Sequence, residues 1–396
     1  MKMKLMSLIC TLVVLAALIG PAMADEDIRN YPSNPYTKEE LDEIISKTQP
    51  TKPELFDEFQ KNENILMLYG EIPEKEMGLD SYEWWLNISS IADEMTKDEN
   101  ISDYFEKGLI LRYGPYCDGY ISFVVDEKFK NDIKQEDLDN INKIVNKYAS
   151  SKGIQNIPVA ISVGQPIEFI AENVSEENNS MNIVARALNY YTDKTRPVIG
   201  GTRVATQMYG GTSGFAAKNQ TNSSRIGIVT VAHLTNFSNA MSVYQPTVSS
   251  SNKIGVTTGV RQDIDAMFVP CSNVQAKIHT GNNFLVSVKG SSGLSSGMAL
   301  YRSGINTGDT SGTYAGYAYY NQNIFNNTVS RLDVMVQNNH SQPGDSGGPV
   351  YTTVNGRTYI CGITCAYKQE ASGRIVTLFA SSEEIRSKLG VVPLTM

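Results

Sequence analysis

The sequence predicts two consecutive parts of different fold class, a small α+β part followed by an all-β part of sandwich or barrel type. Three observations point there. "KEELDEIISKT" and "QEDLDNINKIVNKYASSKG" have helical spacing, and "GYISFVVDE" and "IPVAISVG" read as strands among them, which is an α+β pattern. After residue 197 the chain becomes rich in Gly, Ser, Thr and Asn. Its short alternating runs "RIGIVTVAHL", "SRLDVMVQN" and "GRTYICGITCAY" are bounded by turn signals, the pattern of an all-β unit. Charge divides at the same point. Residues 197–396 carry 14 Lys and Arg against 8 Asp and Glu, whereas residues 1–196 carry 20 against 34, so net charges of +6 and -14 underlie the overall -8.

The elements follow in order. "MKMKLMSLICTLVVLAALIGPAMADEDIRN" opens with Lys2 and Lys4, continues with an apolar run from Leu8 to Ile19, and offers Ala22-Met23-Ala24. This is the layout of a secretory signal peptide over residues 1–24, so an extracellular location is expected. An acidic α+β region is expected over 25–190 and the all-β domain over 197–396. The join "ARALNYYTDKTRPVIGG" holds basic and aromatic residues that proteases favour, and a Pro that ends any helix. A maturation cut is expected within 186–196. An acidic part before a basic one reads as a pro-segment that docks by complementary potential.

Composition excludes several classes. With 41% apolar and 19% charged residues the chain is an ordinary globular protein. No segment after the first is apolar enough to cross a membrane, so stable membrane association is not expected. The basic surplus lacks the clustering that nucleic-acid binding needs, and no metal cluster or phosphate loop stands out, so no cofactor and no metal are expected. Four cysteines remain after the leader: Cys117, Cys271, Cys361 and Cys365. Cys361 and Cys365 lie on one strand, about 13 Å apart, too far for a mutual disulfide. Either could pair with Cys271.

"SQPGDSGGPVY" at 341–351 surrounds one serine with residues of little bulk, as a nucleophile needing close substrate approach and free N–H donors would require. A base and an orienting acid are then needed. His233 ends the apolar strand "GIVTVAHLTN", which fixes its imidazole, whereas His279 and His340 lie in polar, turn-like surroundings. In "RQDIDAMFVPC" Asp263 and Asp265 share a strand face. A carboxylate entering an apolar strand must be bonded, which favours Asp265, with Asp263 as the alternative. The order His233, Asp265, Ser346 is the chymotrypsin order.

With these blocks in place, residues 197–396 resemble a chymotrypsin-fold serine endopeptidase of the streptogrisin and α-lytic protease branch. "VIGG" at 198–201, "TSGFAAK" with "TVAHL", "YRSGINTGDTSG" at 301–312 and "QPGDSGGPV" carry the resemblance. It implies two antiparallel Greek-key β-barrels, about 197–285 and 286–396, preceded by the small α+β pro-region. It implies Ser346 as nucleophile, His233 as base and Asp265 as its orienter, with the N–H groups of Gly344 and Ser346 as oxyanion hole. It also implies that Arg302 supports Asp345 from within the chain, so the new N-terminus is not the switch and the pro-region acts as an intramolecular inhibitor or folding aid. Pocket positions fall on His340, Thr364, Cys365 and Ala366. No Asp stands at the floor, which disfavours Lys or Arg targets and favours neutral or apolar ones; a histidine there could instead favour acidic residues.

Two departures stand out. Gly211 and Leu234 occupy the places of one family disulfide, and Tyr301 and Ser311 those of another. Paired loss suggests an intact fold stabilised otherwise. The alternatives to a protease acting on protein or peptide are a binding protein that keeps the fold without catalysis, and an esterase using the same triad. Sequons include those beginning at Asn219, Asn236 and Asn326; in so Asn- and Ser-rich a chain, chance matches account for them.

Overall fold

The computed structural model describes residues 38–169, 172–173, 192–281, 284–321, 329–337, 341–370 and 373–396. The leader, His340 and the sequon at Asn326 lie outside these residues.

In the N-terminal part, helices Leu79–Met95 and Gln135–Ser151 cover a sheet with strands in the order Ile65–Tyr69, Val159–Gly164, Tyr120–Asp126, Ile110–Tyr116. The second helix buries Leu138, Ile141, Ile144, Val145 and Ala149, a single apolar stripe at three- and four-residue spacing. Tyr120–Asp126 and Val159–Gly164 run parallel, joined through that helix as a crossover connection requires. The expected helices and strands are therefore present, and the part is α+β.

The all-β part comprises two β units. In the first, Phe215–Asn219, Ile226–Thr230, Ala266–Pro270 and Gly259–Arg261 form an antiparallel run, accompanied by the sheet containing Arg203–Ala205 and Tyr209–Thr212. In the second, Ala299–Gly304, Gly308–Asn321, Val329–Gln337, Ile375–Ser381, Arg357–Gln369 and Pro349–Val354 pair antiparallel. Two parallel contacts depart from the antiparallel expectation: Val198–Gly200 beside Val274–His279, and Leu285–Ser291 beside Arg357–Gln369.

The two parts share one sheet. Strand Ile110–Tyr116 pairs antiparallel with Gly308–Asn321, placing Gly316, Tyr319 and Tyr320 opposite Tyr116, Tyr113 and Arg112. Gly114 permits the approach, since a Cβ there would lie 2.1 Å from the Tyr317 carbonyl oxygen. Around this seam Trp85 meets Tyr314 and Tyr317 edge-on at 6.0 and 5.9 Å. Asp93 accepts from the Tyr317 and Tyr319 hydroxyls. A charged cluster adds to the join: Arg374 reaches Asp118 at 2.5 Å and Glu370 at 3.1 Å, and the Tyr116 hydroxyl bonds Glu370.

Burial alone would push the Glu370 carboxyl up. Arg374 and Lys368 nearby, with the Tyr116 hydroxyl, overcome this and hold it at about 2, below the ordinary glutamate value near 4.3. A depressed folded-state value stabilises above the unfolded value and is lost as pH falls through the folded one. The join is therefore expected to loosen as pH falls from about 4.5 to about 2. Emission of the chain's two tryptophans, Trp84 and Trp85, should report it, and Arg374→Ala should move the transition to higher pH.

Candidate active site

Strand Ile226–Thr230 runs into the short 3-10 turn Ala232–Thr235, which Asn236 ends in the left-handed region at φ 46°. This turn buries His233. Its Nδ1 lies 2.7 Å from Asp265 Oδ2, and its backbone N–H donates to Asp265 Oδ1 at 2.9 Å. Both carboxylate oxygens are thus committed to one residue. Asp265 is fully buried and closes the turn Gln262–Ile264 at φ 47°, so it stands in a turn before the strand, and not on the strand face that alternation suggested. The left-handed backbone swings it out of the strand's alternation. Asp263 pairs instead with Arg261 at 2.9 Å and with Lys388 at 3.4 Å. His279, buried at the end of Val274–His279, is held below the usual histidine value by that burial.

Ser346 lies in the loop before Pro349–Val354. Gly344 and Gly347 adopt φ 97° and 89°, a region costly for residues bearing Cβ. At Gly347 a Cβ would also meet Thr230 Oγ1 at 2.1 Å and the Thr212 carbonyl oxygen at 2.2 Å. Beneath the loop, buried Asp345 faces buried Arg302 at 3.3 Å. It also accepts from the backbone N–H groups of Asn306, Thr307 and Gln342 and from the Thr307 hydroxyl, at 2.8–3.1 Å.

Cys365 sits beside the nucleophile. Its carbonyl accepts from the Ser346 hydroxyl at 3.2 Å. Its thiol donates to the Ile363 carbonyl at 3.6 Å, and burial pushes it well above the usual cysteine value. Of the other pocket positions, Thr364 donates its N–H to the Gly348 carbonyl and so braces the nucleophile loop. Ala366 is buried, and His340 falls outside the described residues. All four cysteines are free thiols.

The places where the resemblance implied disulfide bridges are filled. A Cβ on Gly211 would lie 2.9 and 3.0 Å from the two Leu234 methyl carbons, so leucine packs directly on the glycine. Tyr301 and Ser311 are cross-strand partners, with the Tyr301 ring stacked on Tyr351 at 5.5 Å.

Sequence reasoning missed Thr212 and Asn306. Thr212 donates its hydroxyl to the Gly344 carbonyl at 2.7 Å and its N–H to the Ser346 carbonyl at 2.8 Å. The Asn306 amide donates to the Pro343 carbonyl. Both cis peptide bonds of the described residues lie elsewhere. Because a trans peptide points its C=O and N–H in opposite directions, Asn306 turns the Gly344 N–H away from itself. The Asp345 carbonyl, held by the Gly348 N–H at 3.0 Å, orients the Ser346 N–H in the same way. If the Gly344 N–H receives charge during a reaction at Ser346, Asn306→Ala should lower its kcat by about 10-fold or more with KM nearly unchanged, as steady-state kinetics would show.

No protein-family model and no curated protein matches the chain. Among solved structures, *Thermobifida fusca* protease A is 22% identical, covering 50% of this chain and 99% of its own, with a TM-score of 0.41. *Cellulomonas bogoriensis* chymotrypsin is 21% identical over 50% of this chain and 99% of its own, with a TM-score of 0.40. *Nocardiopsis* protease is 22% identical over the same shares, 50% and 99%, with a TM-score of 0.39.

Proposed function

We infer that the chain is a secreted serine endopeptidase made as a precursor, with signal peptide 1–24, pro-region 25–190 and catalytic domain 197–396. The observation that carries this is the grip of buried Asp265 on His233, with one carboxylate oxygen 2.7 Å from the ring Nδ1 and the other accepting from the backbone N–H at 2.9 Å.

In the proposed reaction the Ser346 hydroxyl turns from the Cys365 carbonyl to His233 and attacks a peptide carbonyl. His233 takes its proton and passes it to the leaving amine, and Asp265 holds the imidazole in the required tautomer and stabilises its protonated form. The N–H groups of Gly344 and Ser346 receive the developing oxyanion, where each donor is worth on the order of 10²–10³ in rate. The strand pairing of the N-terminal part with the catalytic part supports its reading as an intramolecular inhibitor or folding aid; non-local β pairing folds slowly.

Secreted wild type and Ser346→Ala should be compared for casein hydrolysis. Activity in the first alone supports the reading. Inactivity of wild type toward casein together with turnover of ester substrates would favour an esterase, and inactivity toward both a binding protein.

A further inference from the structure

At the seam, Tyr113, Phe123 and Ile161 pack with the helices of the N-terminal part. Their neighbours Arg112, Val124 and Ser162 therefore face the other side of the sheet. On that side Arg112, Ser122 and Ser162 from the N-terminal part and Glu370 from the catalytic part line a pocket with about 30 Å³ of free volume. Beside it lie Tyr320, the cross-strand partner of Arg112, and Lys368, whose Nζ is 3.6 Å from Glu370 Oε1.

Three of these groups are buried donors short of acceptors. Arg112 is 5% exposed, and its guanidinium stays charged at any working pH. Among the described residues it makes one long bond, from Nη1 to the Gln165 carbonyl at 3.5 Å, and no ion pair. The Lys368 side chain is 9% exposed, and Tyr320 is fully buried. Neither the Lys368 ammonium nor the Tyr320 hydroxyl has a hydrogen-bond partner among the described residues. Buried donors left in this state are costly.

Charge is unmatched as well. Arg374 engages both nearby carboxylates, Glu370 at 3.1 Å and Asp118 at 2.5 Å, and the Tyr116 hydroxyl also occupies Glu370. Arg112, Lys368 and Arg374 thus face two carboxylates, which leaves one positive charge over. Burial, and after it the charge of Arg112, holds the Lys368 ammonium well below the usual lysine value, the mark of two cations repelling each other. Water could satisfy the donors, but only an anion removes the surplus charge. Size narrows the choice. A water needs about 10–15 Å³ of such volume, so 30 Å³ admits a monatomic ion and is too small for phosphate or an organic acid.

We propose that this pocket binds one chloride-sized monovalent anion, held by Arg112 of the N-terminal part and Lys368 of the catalytic part. The ion supplies the missing acceptor and the missing charge together. Because its two cationic partners come from opposite sides of the seam, it ties the parts to each other. Without it the two buried cations repel across the join, which then opens more easily. None of this depends on what Ser346 does.

The full chain carrying Ser346→Ala keeps both parts linked whatever its activity. It should be unfolded with urea in sodium chloride and in sodium gluconate of equal ionic strength, gluconate being too large for the pocket. Emission of Trp84 and Trp85 follows the transition. Chloride at 100 times its Kd should lower the unfolded fraction about 100-fold relative to gluconate, and the gain should grow with the logarithm of chloride concentration. In the same chain with Lys368→Met the surplus cation is gone, and the two salts should give one curve. Equal curves for the parent chain, or a chloride effect that survives Lys368→Met, would overturn the proposal. Should that variant fail to fold, anomalous scattering from crystals of the parent chain grown in bromide decides. A bromide peak between the Arg112 guanidinium and the Lys368 ammonium upholds the site, and water or a protein acceptor in that place overturns it.

Discussion

Asp265→Asn should lower kcat on a peptide substrate by about 10⁴ while leaving the fold unchanged. The cause lies in the two bonds to His233. The backbone N–H of His233 donates to Asp265 Oδ1, so an asparagine must keep its carbonyl oxygen there. Its NH₂ then faces the ring Nδ1, which must accept in place of donating. The neutral imidazole is thereby locked with its proton on Nε2, and it cannot take a proton from Ser346. Circular dichroism and the unfolding midpoint should stay close to wild type, and kcat should carry the whole effect. Retained activity would show that Asp265 does not orient the base.

Arg302→Met should destabilise the catalytic part by about 3–5 kcal/mol, the usual consequence of stranding a buried charge. Arg302 and Asp345 are both fully buried, so the carboxylate has no water to turn to. Hydrogen bonds from the backbone of Asn306, Thr307 and Gln342 and from the Thr307 hydroxyl remain, which places the loss toward the lower bound. At about 2–4 °C per kcal/mol for a domain of this size, Tm should fall by roughly 10 °C. The double variant Arg302→Met/Asp345→Asn should recover much of this, because no ion is then left unpaired. Calorimetry of both variants checks the pair; a double variant no more stable than the single would show that Arg302 acts through packing alone.

How much could be read beforehand differs by residue. Ser346 and Gly344 announced themselves because a nucleophile loop demands glycines at left-handed positions, a constraint written into residue type. His233 was legible from the apolar strand leading to it. Asp265 was found for a partly mistaken reason: burial was expected on a strand face, but a left-handed turn delivers the carboxylate. Nothing marked Asn306 or Thr212, because an amide or hydroxyl bonded to a distant carbonyl looks in sequence like any polar loop residue. The α+β and all-β textures gave the two fold classes, since hydrophobic periodicity follows burial. The shared sheet left no such trace, because strand pairing joins backbones, which are the same in every residue. The pairing of Glu168 and Phe169 with strand 366–367, and of Glu172 and Asn173 with strand 209–210, is hidden for the same reason.

On the precursor reading proposed above, the seam between Ile110–Tyr116 and Gly308–Asn321 has a consequence once the N-terminal part is removed. Residues 316–320 pair on one side with Val329–Gln337 and on the other with strand 112–116. Removal of the latter turns a central strand into an edge, with unsatisfied backbone donors and acceptors in a tyrosine-rich run. Such edges template association with other chains. The chain without its N-terminal part would be the more aggregation-prone form, self-associating as its concentration rises, with the N-terminal part serving until then as an edge guard.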